Sequence, residues 1–155
     1  EIMPSLVGSE MCIRDRDERK GLDDFIKLLD LLDRQYQIVL IGLSDRQLKK
    51  MPDNVIGIKR TDSVTELAQW YTTADVFLNL TYEDNYPTVN LEAQACGTPC
   101  ITYRTGGSVE SVPEENIVDA GDISTIKSML TNSQLSISDN DLSLNTAIGD
   151  YISVY

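Results

Sequence analysis

Residues 74–110 read ADVFLNLTYEDNYPTVNLEAQACGTPCITYRTGGSVE. Asp75 to Leu80 is a short apolar run and predicts a strand, Val89 to Cys96 predicts a helix, and Cys100 to Tyr103 predicts another strand. Gly97 with Pro99 behind it is the usual stop signal of a helix. The flanking sequence repeats this alternation. Gln37 to Gly42 (QIVLIG) is continuously apolar, as in a parallel strand covered on both faces, and Asn54 to Ile58 and Asn116 to Val118 read as further strands. Leu22, Phe25, Ile26, Leu29 and Leu32 recur at helical spacing, with Asp23, Asp24, Asp30 and Asp33 among the polar positions. Ser44 to Met51 reads as a brief helix before Pro52. Ser63-Val-Thr-Glu66 reads as a capping box opening a helix with Val64, Leu67, Ala68 and Tyr71 on one face. Helices are also expected near Ile123 to Leu130 and Leu142 to Tyr155, the latter after a polar loop from Ser133 to Asn145. Such alternation predicts an α/β fold, a doubly wound parallel sheet with its ligand at the carboxyl ends of the strands.

Asp84 and Glu92 stand eight residues apart, one in the loop after a strand and the other about one turn into a helix that starts near Thr88. The amides of Val89, Asn90 and Leu91 lack intrahelical partners in that reading, so the helix start offers free donors and the positive end of a dipole to an anion. Carboxylates placed on a diphosphate would repel it. They more naturally accept hydrogen bonds from hydroxyl groups on either side, and two linked sugars offer those hydroxyls. The implied ligand is a nucleotide sugar. Taken singly, Glu92 as an exposed helix residue, Asp84 as a turn former and Gly97 as a plain helix stop are the better readings.

The ordered set of acid, seven residues, acid, Ala, Gly-Thr-Pro, strand and Gly106-Gly107 resembles the retaining family 4 (group 1) glycosyltransferases of the GT-B fold. The resemblance covers roughly Asp17 to Tyr155 and implies a Rossmann-like, donor-binding C-terminal domain, one half of a GT-B fold. The family signature has glutamate at both positions, so Asp84 is one methylene shorter, and Glu83 beside it is the compensating candidate. By resemblance, Lys20, Asp84 and Glu83 are the catalytic candidates. Lys20, in Arg19-Lys20-Gly21, would bind donor phosphate and stabilise the leaving diphosphate, and Asp84 or Glu83 would contact hydroxyls of the donor sugar. Glu92 would take the ribose hydroxyls, and the amides of Thr88 and Val89 would face the diphosphate. Arg19, Asn85 and Tyr86 complete the donor-binding set, and Ile58 and Arg60 lie on the base side. An exposed basic pair, Lys59-Arg60, is an equally good reading of that last position. Arg14 has the family's spacing to Lys20 but lies in residues 8–16, GSEMCIRDR, which give neither a clean strand nor an amphipathic helix and look like translated adapter sequence. The expected division is therefore a non-native segment over 1–16 and a nucleotide-sugar-binding domain over 17–155.

With 155 residues, 41% of them hydrophobic, the chain is the length of one domain, whereas a GT-B enzyme needs two. Its acceptor-binding half is expected elsewhere, and this part alone is expected to be inactive. A net charge of −12 excludes a nucleic-acid partner, which needs a basic face. No apolar run approaches the ~20 residues that span a bilayer. Cys12, Cys96 and Cys100 are an odd set without metal spacing and read as reduced thiols. The absence of histidine excludes a Ser-His-Asp triad, a Cys-His pair and a His-based zinc site within the chain. There is no G-x-G-x-x-G motif, and Gly42-Leu43-Ser44 is only a turn.

By resemblance, then, the expected activity is metal-independent, retaining transfer from a UDP- or GDP-linked sugar to a glycan or lipid-linked acceptor. No cofactor is expected. The expected setting is cytoplasmic, with the full-length enzyme peripherally associated with the inner face of the plasma membrane, in exopolysaccharide, capsule or lipopolysaccharide synthesis. The competing readings are a non-catalytic nucleotide-binding or structural domain and, more weakly, a GT-B epimerase or phosphorylase.

Overall fold

Alternation along short strands sorts the apolar residues into two cores. Ile38, Leu40, Val76, Leu78, Ile101 and Tyr103 fall on one face, and Val39, Ile41, Phe77 and Cys100 on the other. The computed structural model describes residues 5–9, 21–32, 36–132 and 135–137. Strands β1 (Ser5–Ser9), β2 (Gln37–Ile41), β3 (Val55–Ile58), β4 (Val76–Asn79), β5 (Cys100–Tyr103) and β6 (Ile117–Val118) form one sheet in the order β3-β2-β1-β4-β5-β6. All its pairings are parallel. Helices α1 (Leu22–Leu31) and α5 (Ile123–Asn132) cover the first face through Phe25, Leu28, Ile126 and Leu130. Helices α3 (Val64–Thr73) and α4 (Thr88–Ala95) cover the second through Leu67, Tyr71 and Ala93. A short α2 (Asp45–Leu48) and two 3-10 turns, Gly106–Glu110 and Glu114–Asn116, complete the described elements. This is the doubly wound, Rossmann-like sheet expected, one half of a GT-B fold.

The chain reverses its winding between β1 and β4, and a ligand crevice opens outside the carboxyl ends at such a reversal. The β4–α4 loop, carrying the acids, leaves the sheet there. Part of the segment set aside as foreign to the fold occupies the centre of the sheet. Ser5–Ser9 pair with Gln37–Ile41 on one side, and Leu6 to Gly8 pair with Val76 to Leu78 on the other. A backbone ladder needs few side-chain signals, so five residues of mixed character serve as a strand between two strongly apolar neighbours. The expected helix over Leu142 to Tyr155 lies outside the described residues.

Three local readings change. Asp24 is buried at 2% exposure, because Gly21, Asp24, Phe25 and Leu28 form the inward face of α1. Val64 is 85% exposed, since it opens α3 beyond the edge of the core. The carboxylate of Glu66 accepts the amide of Asp62 instead of closing a box on Ser63, although the Ser63 hydroxyl does accept the Glu66 amide. The complete capping box belongs to Ser44 and Gln47 at α2.

Helix α4 is fixed by polar contacts. Asn79 at the end of β4 donates to Asn90 Oδ1 at 2.8 Å, and Asn90 Nδ2 donates to Ser111 Oγ at 2.8 Å. Gln94 Nε2 donates to the carbonyl oxygens of Asn90 and Ser111. Asn79, Asn90, Gln94 and Ser111 are all buried, so each bond satisfies a group that would otherwise be stranded. Asn90→Leu, of similar volume, is expected to cost about 2–4 kcal/mol by orphaning Asn79 and Ser111. Val64→Ala should cost no more than about 0.5 kcal/mol. Urea unfolding of both variants checks the contrast.

Candidate functional site

Helix α4 begins at Thr88 behind Pro87, which has no amide to donate, and no side chain caps it. No acidic residue stands in its first turn. This end, at the carboxyl edge of the sheet, is therefore an electropositive helix start. One expected donor is taken, since the Asn90 amide bonds the Pro87 carbonyl at 3.1 Å. The anion-facing role thus rests on Thr88, exposed, and Val89, half-buried, the pair inferred from resemblance.

The acidic loop that leads into α4 is shaped by its own backbone. Asp84 Oδ1 accepts the Tyr86 amide at 3.2 Å, the turn-forming role that competes with ligand binding in the sequence reading. Glu83, Asn85 and Tyr86 are exposed, and Asp84 is half-buried. The Gly106–Glu110 turn packs directly on this loop, with the Gly107 amide donating to the Asp84 carbonyl at 3.2 Å. A Cβ on Gly106 would lie 2.0 Å from Asp84 O, and one on Gly107 1.9 Å from Asn85 O. The glycine pair therefore allows close approach of the chain to its own acidic loop. Thr105 Oγ1 adds a bond to the Thr81 carbonyl at 2.9 Å.

Glu92 lies one turn into α4 and is hydrogen-bonded by the Thr88 hydroxyl. Burial raises its carboxyl above the usual range, and the Thr88 bond offsets part of that rise. Asp84, Glu92, Thr88 and Val89 are thus brought to one helix start. Ile58 is spoken for in part, since its carbonyl accepts the amides of Gly42 at 2.8 Å and Leu43 at 3.1 Å. Arg60 is exposed at the same sheet edge, while its neighbour Lys59 pairs with Asp45 at 2.6 Å. Arg14, Arg19, Lys20 and Cys12 lie outside the described residues. Gly21, immediately after the basic pair, is described. It has φ of 67° and abuts Leu80, where an added Cβ would fall 2.1 Å from the carbonyl oxygen. The start of α1 is thereby pressed against the exit of β4.

The sequence reading missed the carboxylate at the centre of this edge. Asp24 accepts hydrogen bonds from Lys27 Nζ at 2.9 Å, Tyr103 Oη at 2.8 Å and the Tyr82 hydroxyl. Burial raises the Asp24 carboxyl, but the three donors outweigh it and hold the group below its ordinary range. Burial, then Asp24 itself, pushes the Tyr103 phenol far up. A signal was present, since Asp24 is four residues from Leu28 and next to Phe25, on the helix face that reads as core. Among the described residues no cluster of His, Cys, Asp and Glu could hold a metal, and no helix is long and apolar enough to cross a membrane.

The sequence profile of the family described as "Glycosyl transferases group 1" matches residues 11–132. The chain belongs to the group 1 glycosyl transferases. The D-inositol 3-phosphate glycosyltransferase of Arthrobacter sp. (strain FB24) is 38% identical over 73 residues, 44% of this chain and 17% of that protein. Sucrose-phosphate synthase from Thermosynechococcus elongatus superposes with a TM-score of 0.68 at 26% identity, covering 83% of this chain and 35% of that one. HepE of Anabaena in complex with UDP superposes with a TM-score of 0.69 at 17% identity, covering 99% of this chain and 50% of that one, a likeness of fold. The chain thus spans well under two thirds of each of these relatives.

Opposite pH responses are expected from the two buried acids of this group 1 domain. Asp24, depressed in the folded state, contributes stability that is complete above the unfolded carboxylate pKa of about 3.9 and lost as pH falls through its lower folded value. Asp24→Asn should destabilise by about 2–3 kcal/mol at pH 7, the gap narrowing in acid. Glu92, raised in the folded state, carries a penalty above its folded pKa that vanishes in acid. Glu92→Gln should therefore raise the unfolding midpoint at pH 7 and converge with the parent toward pH 3. Thermal unfolding across that range measures both.

Proposed function

We propose that this chain is the donor-binding half of a glycosyltransferase that binds a nucleotide sugar and transfers the sugar with retention of configuration. The observation that carries the reading is the uncapped start of α4 at the carboxyl edge of a parallel sheet, entered from an acidic loop and followed one turn later by Glu92. Family membership supports sugar transfer as the activity, and the HepE structures, solved with UDP and with UDP-glucose, support a nucleotide-sugar donor.

The proposed roles follow from charge and geometry. The amides of Thr88 and Val89 meet the donor diphosphate, with Lys20 and Arg19 supplying positive charge by resemblance. Glu92 accepts ribose hydroxyls. Asp84 and Glu83, with Asn85 and Tyr86 in the same loop, meet the donor sugar, and Ile58 and Arg60 lie toward the base. As the bond from the anomeric carbon to phosphate oxygen breaks, its electron pair leaves with the diphosphate. The acceptor oxygen then bonds the anomeric carbon on the same face, and its proton passes to the leaving phosphate. A glycan or lipid-linked acceptor would be held by the other half of the enzyme. Surface-polysaccharide synthesis, cytoplasmic and at the inner face of the plasma membrane, is the proposed setting. Catalysis is proposed to need both halves.

The raised carboxyl of Glu92 fits this role, because a desolvated carboxylate gains by accepting ligand hydroxyls in place of water. Calorimetric titration of UDP, GDP and their sugars should show binding that prefers one base. Glu92→Gln should weaken it by about ten- to a hundredfold, the cost of a charge-assisted hydrogen bond. Trp70 is a poor reporter, lying in the last turn of α3 toward the opposite edge of the sheet. Unchanged affinity in the variant would remove Glu92 from the ribose role.

A further inference from the structure

Tyr82 combines two properties that rarely meet. It is 41% exposed at the carboxyl edge, yet its hydroxyl is bound to a carboxylate that is 2% exposed. A surface tyrosine ordinarily samples several rotamers, and this one is tethered at the far end of its ring. Its ring also meets that of Tyr103 edge-on, with centroids 5.3 Å apart. Asp24 in turn comes from the first turn of α1, Tyr103 from the last residue of β5, and Lys27 from the next turn of α1. The network thus ties α1 and β5 to the loop two residues before Asp84.

Two backbone contacts fix the same loop from its other side, Gly107 N to Asp84 O and Thr105 Oγ1 to Thr81 O. Between them the position of residues 81–85 is set before any ligand arrives. Preorganisation of this kind lowers the cost of binding hydroxyls and is most valuable at the group that must be held in one orientation. We infer that Asp24, acting through Tyr82, is a positioning residue that holds the acidic loop for the donor sugar. Asp24 does not itself touch ligand. The inference rests on the donor-binding role proposed above, and it assigns Asp24 and Tyr82 to recognition of the sugar, not of the nucleoside diphosphate, which meets α4.

That division gives the test. The chain, Tyr82→Phe and Asp24→Asn are titrated by calorimetry with UDP, GDP, UDP-glucose, UDP-galactose, UDP-N-acetylglucosamine and GDP-mannose, and the ratio of sugar-nucleotide to free-diphosphate affinity is compared. In Tyr82→Phe, which removes only a hydroxyl, diphosphate affinity should stay within about twofold. The sugar-dependent ratio for the preferred donor should fall by about fivefold or more, the equivalent of one hydrogen bond's contribution. Asp24→Asn should move the ratio the same way even if it also lowers the melting temperature. A ratio unchanged in Tyr82→Phe, with both ligands still bound, would overturn the positioning role and leave the network as scaffolding. Failure of the folded parent to bind any diphosphate or sugar nucleotide would instead remove the donor role on which the inference stands.

Discussion

A single buried carboxylate organises the edge of the sheet where the chemistry is placed. Asp24 lies in a layer otherwise built from Phe25, Leu28, Leu80 and Ile126. A charge in such surroundings is strongly disfavoured unless hydrogen bonds replace its hydration. Three donors from three places in the chain do so, and the requirement that they converge fixes α1, the end of β5 and the acidic loop relative to one another. Removal of any one element leaves the carboxylate undersatisfied, so the edge behaves as a unit.

The other side of the loop is held by different means. Backbone lies on backbone where Gly106 and Gly107 meet Asp84 and Asn85, at distances that admit no side chain. Beneath it, the Asn79, Asn90, Gln94 and Ser111 bonds hold α4 against β4 and orient its open start. Glu92 departs from this pattern of satisfied groups. Its carboxyl is partly desolvated with only the Thr88 hydroxyl to offset the burial, a local instability that a ligand hydroxyl would relieve. Structural polar groups here are saturated, and the proposed binding group is not.

The regular part of the fold was legible because periodicity carries it. Apolar runs at 37–42 and 100–103 read as covered parallel strands, and the observed bounds agree to within a residue. Strand β1 was not legible, since Ser5–Ser9 has no pattern of its own and gains its place from the backbones on either side. The site was legible where one short motif holds it, from Asp84 to Glu92. It was not where partners are far apart in sequence. Asp24 meets Tyr82 and Tyr103 across 58 and 79 positions, and an aspartate beside Asp23 on an amphipathic helix reads as solvated until its face is worked out. Gly106-Gly107 was recognised as a point of close approach, but the sequence could not show that the approaching partner is the chain's own loop.

The most direct measurement is residue-resolved: amide nitrogen and proton shifts of the labelled chain during titration with UDP and GDP. If α4 opens onto a donor diphosphate, one of the two ligands should produce its largest saturable shifts at Thr88 and Val89, with smaller ones through Asp84 to Tyr86 and Gly106-Gly107. Shifts centred instead on the outer faces of α3 or α5, or none with either ligand while the spectrum shows a folded chain, would contradict the account.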